Sequence, residues 1–77
     1  MRARVFVSLK STVLDPQGHA IGNALHSLGH TDIKDVRQGK FFHIEYDEGA
    51  DLEVIARDVL TNPVIEDFRI EYLDQRS

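Results

Sequence analysis

The sequence predicts an α+β fold, a two-layer sandwich of βαββαβ order in which two helices cover one face of an antiparallel sheet. Three observations predict it. Three stretches alternate apolar with polar residues, the period of a half-buried strand, and a fourth, shorter and charged, reads as extended. Two intervening stretches repeat apolar residues near 100° per residue, the period of an amphipathic helix. Gly, Asp-Pro and Asn-Pro punctuate the joins. At 77 residues the chain fits a single domain, residues 1–77, with no repeat, linker or low-complexity run.

The first strand is expected over residues 2–10, with Val5, Val7 and Leu9 on one face and Arg4, Phe6 and Ser8 on the other. Helix one opens at Asp15-Pro16, because Asp15 can cap free N–H groups and Pro16 has none to leave unpaired at the first helical position. Its apolar arc is Ala20, Ile21, Ala24, Leu25 and Leu28, and Gly29 supplies a left-handed cap. Residues 33–38 form a shorter, charged stretch expected as an edge strand. Gln38-Gly39 is expected to turn it in a hairpin into a third strand over 40–47. There Phe42, Ile44 and Tyr46 share one face, and Phe41, His43 and Glu45 the other.

Helix two is expected over 50–61, with Leu52, Ile55, Ala56 and Val59 inward, and Asn62-Pro63 ends it. A last strand over 64–73 puts Phe68, Ile70 and Tyr72 on one face and Arg69 and Glu71 on the other. Residues 74–77 are expected as a frayed polar tail.

Composition narrows the chemistry. Hydrophobic residues make up 42% and charged residues 29%, the balance of a soluble globular domain. There is no cysteine, which removes disulfides and thiolate metal sites and makes the cytoplasm the default location. The N-terminal apolar run ends at Ser8, too soon for a signal core or a membrane span. A net charge of −4 opposes phosphate-backbone binding, so neither nucleic acid nor an anionic membrane is expected as a partner. An aromatic run from Gly39 to Tyr46 only loosely echoes RNA-binding strands.

No catalytic residue is expected, since no serine lies in a nucleophile turn and no phosphate loop or dinucleotide fingerprint occurs. His19, His26 and His30 lie opposite the apolar arc of helix one and are read as a solvated face, so no metal and no cofactor is expected. Phe6 and Phe41, with His43, place apolar surface on the outer sheet face. A second subunit is expected to cover it, because a core of this size supplies little net stability.

The connecting segments are the most specific part of the sequence. Val13-Leu14-Asp15-Pro16-Gln17-Gly18, Ala24-Leu25, Leu28-Gly29, Val36-Arg37-Gln38-Gly39-Lys40 and Leu60-Thr61-Asn62-Pro63-Val64-Ile65-Glu66-Asp67-Phe68 occur in order and resemble the PurS family. That family provides the small subunit of phosphoribosylformylglycinamidine synthase, in purine biosynthesis. Between Tyr46 and Leu60 the sequence departs from the family, which usually carries a longer, more acidic second helix there.

The resemblance implies a non-catalytic assembly subunit. It would bridge a PurL synthetase, which activates the formylglycinamide amide oxygen with ATP, and a PurQ glutaminase, which releases ammonia. It also implies help in ammonia transfer and self-association as a dimer or dimer of dimers. The residues expected to serve partner binding or architecture are Asp15, Pro16, Gln17, Gly18, Gly39, Lys40, Asn62 and Pro63. Asp15 to Gly18 either presents a rigid corner to a partner or is a helix cap with no further duty. Lys40 either pairs with an acidic partner or is a solvated strand lysine. An alternative of another class is an ACT-like module that binds a small regulatory molecule, since it shares the element order.

Overall fold

A computed structural model describes residues 1–73; the tail expected over 74–77 lies outside the described residues. Among the described residues the order is β1 (Arg2–Leu9), α1 (Pro16–Ser27), β2 (Gly39–Glu45), α2 (Leu52–Ile55), a π-helical turn (Ala56–Leu60) and β3 (Glu66–Tyr72). The α+β class and the antiparallel sheet are as expected. The strands stand in the order β2-β1-β3, with β1 antiparallel to both neighbours.

The register follows from the alternation. Val5 sits opposite Phe42 and Ile70, and Val7 opposite Phe68, so one face collects the apolar residues. Val5, Val7 and Ala56 are buried at its centre, with Phe42, Ile44, Leu60, Phe68 and Ile70 packed around them.

The second strand is a correction. Residues 33–38 join no sheet, and Gln38-Gly39 makes no hairpin. Glycine is needed at 39 for close approach: a Cβ there would stand 2.6 Å from the Val7 carbonyl oxygen. A strand needs a neighbour to pair with, and 33–38 lies beside α1 instead.

Helix one is corrected in placement, not in extent. Asp15 caps it through Gly18 N–H, and Pro16 occupies its first turn. At the other end Gly29 has φ of 98°, its N–H reaches His26 O and the His30 N–H reaches Leu25 O, a Schellman cap. Yet α1 contributes nothing to the core. The molecule measures 48 × 29 × 13 Å, with a radius of gyration of 15.9 Å. A compact chain of this length would have about 11.5 Å. The expectation that both helices cover one sheet face holds for α2 alone.

Helix two is short, and its inward face changes partway. Asp51 caps it by accepting the Val54 N–H, and Leu52 and Ala56 are buried as expected. The π-helical turn inserts extra backbone per turn, so Leu60 rotates into the core and Val59, expected inside, is 75% exposed. Leu60→Ala should therefore cost about 1–3 kcal/mol, below the full range for a buried leucine because Leu60 is half-buried. Val59→Ala should stay within about 0.5 kcal/mol. Urea unfolding of the two variants checks the order; equal losses would mean a regular α-helix here.

Candidate interaction site

The residues singled out by sequence gather in two places: a corner at the Leu9, Gly39 and Glu66 end of the sheet, and the sheet face opposite α2. At the corner, Asp15 is buried and its two carboxylate oxygens are divided between two segments. Oδ1 accepts the Gly18 N–H at 3.0 Å, and Oδ2 accepts the Gln38 N–H at 2.7 Å. One side chain thus caps α1 and clasps the chain that returns into β2.

Gly18 completes the clasp. A Cβ on it would lie 2.3 Å from the Val36 carbonyl oxygen and 2.8 Å from Asp15 Oδ2, so only glycine lets the two segments meet. Gln38 Nε2 donates to Gln17 Oε1 across the same gap. Arg37, which sequence reasoning did not single out, donates to Lys10 O and Val13 O at 2.8 and 2.9 Å. Its partners are more than twenty residues away, so no local signal could have marked it. Asp15, Gln17, Gly39 and Lys40 border a shallow cleft of about 250 Å³ beside Glu66.

The Asp15 carboxyl is held below the ordinary carboxylate range by the Gly18 N–H first and the Gln38 N–H second, aided by the Arg37 charge and the Gln17 N–H and opposed by burial. A depressed acid contributes stability above its unfolded value, about pH 3.9, and loses it as pH falls through the folded value. Asp15→Asn should be less stable than the wild type at pH 7, and its stability should change less on acidification. The two curves should converge at low pH, as thermal melts across pH 7 to 2 will show; parallel curves would assign the acid limb to other groups.

Asn62 and Pro63 lie at the same end, in the turn entering β3. Asn62 Oδ1 accepts the Val64 N–H, Asn62 O accepts the Glu66 N–H, and Glu66 Oε1 accepts the Asn62 N–H. Lys10 ties this turn to β1 through its N–H on Ile65 O and its Nζ 2.7 Å from Asp67 Oδ1. Lys40 is exposed, with Nζ 5.7 Å from the centre of the Phe42 ring on the α2 side of the sheet. Corner and turn are architectural in their contacts.

The face opposite α2 is built in cross-strand rows. His43, Arg4 and Glu71 form one, and Phe41, Phe6 and Arg69 the next. Arg4 Nε donates to His43 Nε2 at 3.1 Å, which makes that ring nitrogen an acceptor, and Arg4 Nη1 reaches Glu71 Oε1 at 3.2 Å. The Phe6 and Phe41 rings are 5.7 Å apart, Phe41 meets His43 edge-on, and the Arg69 guanidinium lies 4.5 Å from the Phe6 ring centre. Both partners of the Arg4–Glu71 pair are about 40% exposed, so it adds under about 1 kcal/mol. Phe41 itself is 57% exposed. Arg4 and Glu71 are paired within the face, and Phe6 and Phe41 form its apolar centre.

His19, His26 and His30 are exposed, as the reading of a solvated face expects. His26 Nε2 lies 2.8 Å from Ile33 O, and His19 and His26 border a shallow hollow with residues 33–36. Among the described residues, no group of three or more His, Cys, Asp or Glu side chains is placed to hold a metal ion, and no helix is long and apolar enough to cross a membrane.

Comparison with known proteins gives a single family. The family model described as PurS, phosphoribosylformylglycinamidine (FGAM) synthase, matches residues 2–74. The PurS subunit of phosphoribosylformylglycinamidine synthase from Mycobacterium leprae is 54% identical over 72 residues, covering 90% of this chain and 91% of that one. The Bacillus subtilis subunit is 43% identical, covering 91% and 89%. Among solved structures, B. subtilis PurS superposes with a TM-score of 0.81 at 40% identity, covering 91% of this chain and 94% of that one. A chain in the structure of PurLQS from Thermotoga maritima superposes with a TM-score of 0.81 at 26% identity, covering 94% and 95%.

Proposed function

Because the chain belongs to the PurS family, subunits of FGAM synthase in purine biosynthesis, we propose that it is the assembly subunit that bridges a PurL-type synthetase and a PurQ-type glutaminase and supports ammonia transfer between them. The observation that carries this reading is the likeness to a chain of the T. maritima PurLQS structure along nine-tenths of both chains. The geometry agrees with it. The side chains singled out at the corner are spent on holding backbone segments together, and the larger exposed features are adhesive surfaces. The glutamine-dependent ligase chemistry belongs to the other subunits, and this chain acts by placing them.

The chain also self-associates through the sheet face of Phe6, Phe41 and His43. Supporting this are the 57% exposure of Phe41, the Arg4–Glu71 pair beside it and a small core, in which the buried apolar residues among those described are Ala3, Val5, Val7, Leu52 and Ala56.

Reconstitution tests the bridge. With the two larger subunits of the same organism, glutamine-dependent FGAM formation should require this chain, and formation driven by added ammonium salt should proceed without it. Equal glutamine-dependent rates with and without the chain would overturn the reading. Thermal stabilisation of the isolated chain by an amino acid or nucleotide would point to a small-molecule regulator instead.

A further inference from the structure

The segment that closes α2 is folded against its own sequence pattern. At the α-helical spacing of about 100° per residue, Val59 stands within about 60° of both Leu52 and Ala56, on the side that faces the sheet, and Thr61 lies about 140° from Ala56, on the side that faces water. The π-helical turn reverses both. Val59 is 75% exposed, while Thr61 is 7% exposed and its enclosed Oγ1 has no hydrogen-bond partner. It is the one such side-chain atom among the described residues. A buried hydroxyl without a partner is a standing cost, since water satisfies it in the unfolded chain.

We infer that residues 56–61 form a two-register element: the π turn, with Leu60 and Thr61 inward, exchanges with an α-helical turn that returns Val59 to the sheet and Thr61 to water. The opposing terms are small and of opposite sign. The π register packs Leu60 on the core of Val5, Val7 and Ala56 and leaves one hydroxyl unpaired; the α register buries Val59, a methylene smaller, and leaves that hydroxyl hydrated. Because the two differences nearly offset, the minor register holds on the order of 0.1–10% of the molecules. The exchange is a property of the single chain and needs no partner.

The ends of the segment allow the change. Before it, Asp51 caps α2 through the Val54 N–H. After it, the turn into β3 is held by Asn62 O, which accepts the Ile65 and Glu66 N–H groups, and by Glu66 Oε1, which accepts the Asn62 N–H. Between these anchors the extra residue of a π turn can be given up to Thr61, whose backbone is already extended, with φ of −122° and ψ of 142°. Arg57 and Thr61 also line a shallow cleft of about 280 Å³ with Lys10, Glu66 and Asp67, so the register sets the shape of that cleft.

Methyl relaxation dispersion on the full chain, labelled at valine and leucine, reads the exchange directly. Val59 and Leu60 should show microsecond-to-millisecond exchange that Val5 and Val7 do not, and it should not depend on protein concentration. Thr61→Val puts a methyl group where the unpaired hydroxyl is enclosed, so it should favour the π register: the exchange at Val59 and Leu60 should fall roughly tenfold, and the melting temperature should rise. Flat profiles at Val59 and Leu60 in the unsubstituted chain overturn the inference, as does exchange shared with Val5 and Val7, which would mean opening of the whole core. A lower melting temperature for Thr61→Val would show that the hydroxyl has a partner, and overturns it too. Because the chain has no cysteine, an introduced thiol gives a second reading. Val59→Cys should react with a thiol reagent nearly as fast as a free thiol. With Leu60→Lys added, the inward side chain becomes one that must reach water, so the α register should take over and slow the reaction roughly tenfold with the circular-dichroism signal retained. Unchanged reactivity in the folded double variant overturns the inference.

Discussion

Gly18→Ala is expected to destabilise the chain by about 1–3 kcal/mol, because it forces a methyl group into a space already filled by backbone. The nearest atoms are Val36 O and Asp15 Oδ2, and neither belongs to a flexible side-chain end that can swing away: the first is main chain and the second is fixed by the Gln38 N–H. For a domain of this size each kcal/mol lowers the melting temperature by roughly 4–8 °C. Gly22→Ala, one turn further on, is the control. Its Cβ would sit 3.8 Å from Val36 Cγ2, an ordinary contact, so the gain in helix propensity of about 0.5–1 kcal/mol should raise the melting temperature. Thermal unfolding of both variants decides the matter, and equal shifts in one direction would show that the clasp is loose.

Phe41→Asp should halve the mass of the assembly in light scattering and leave the circular-dichroism spectrum of the chain intact. The substitution puts a charge at the centre of the sheet face proposed to bind a second copy, where it would be buried without a partner. In the single chain Phe41 is on an edge strand and more than half exposed, so its loss removes its ring contacts with Phe6 and His43, each worth about 0.5–1.5 kcal/mol, and little else. Ser8→Asp, on the same face but at its polar end opposite Gly39 and Asp67, should change the mass far less. If Phe41→Asp keeps the full mass, that face is free of other copies.

The two variants probe features that sequence revealed to different degrees. Asp15-Pro16 and Gly29 announced the two ends of α1 because a cap is a contact between residues three to five apart. The faces of β1 and β3 were equally plain, since alternation settles which side chains share a side whatever the neighbour is. Phe6, Phe41 and His43 were placed together for the same reason. The second job of Asp15 was hidden, because Gln38 is twenty-three residues away and nothing near it marks it as an acceptor's target. Arg4 was seen only as one member of an outer face, and its link between His43 and Glu71 depends on register across three strands.

The sequence by itself determined where α1 begins and ends, which strand faces are apolar, and the family to which the chain belongs, all of which are written in residues close together along the chain. Only the tertiary structure decided that residues 33–38 join no sheet, that a π-helical turn brings Leu60 inward in place of Val59, and that α1 stands away from the sheet it was expected to cover. Local periodicity states that a surface needs covering. What covers it is decided by contacts between distant segments, here the Asp15 clasp and the close approach at Gly18, and a periodic pattern carries no record of those distances.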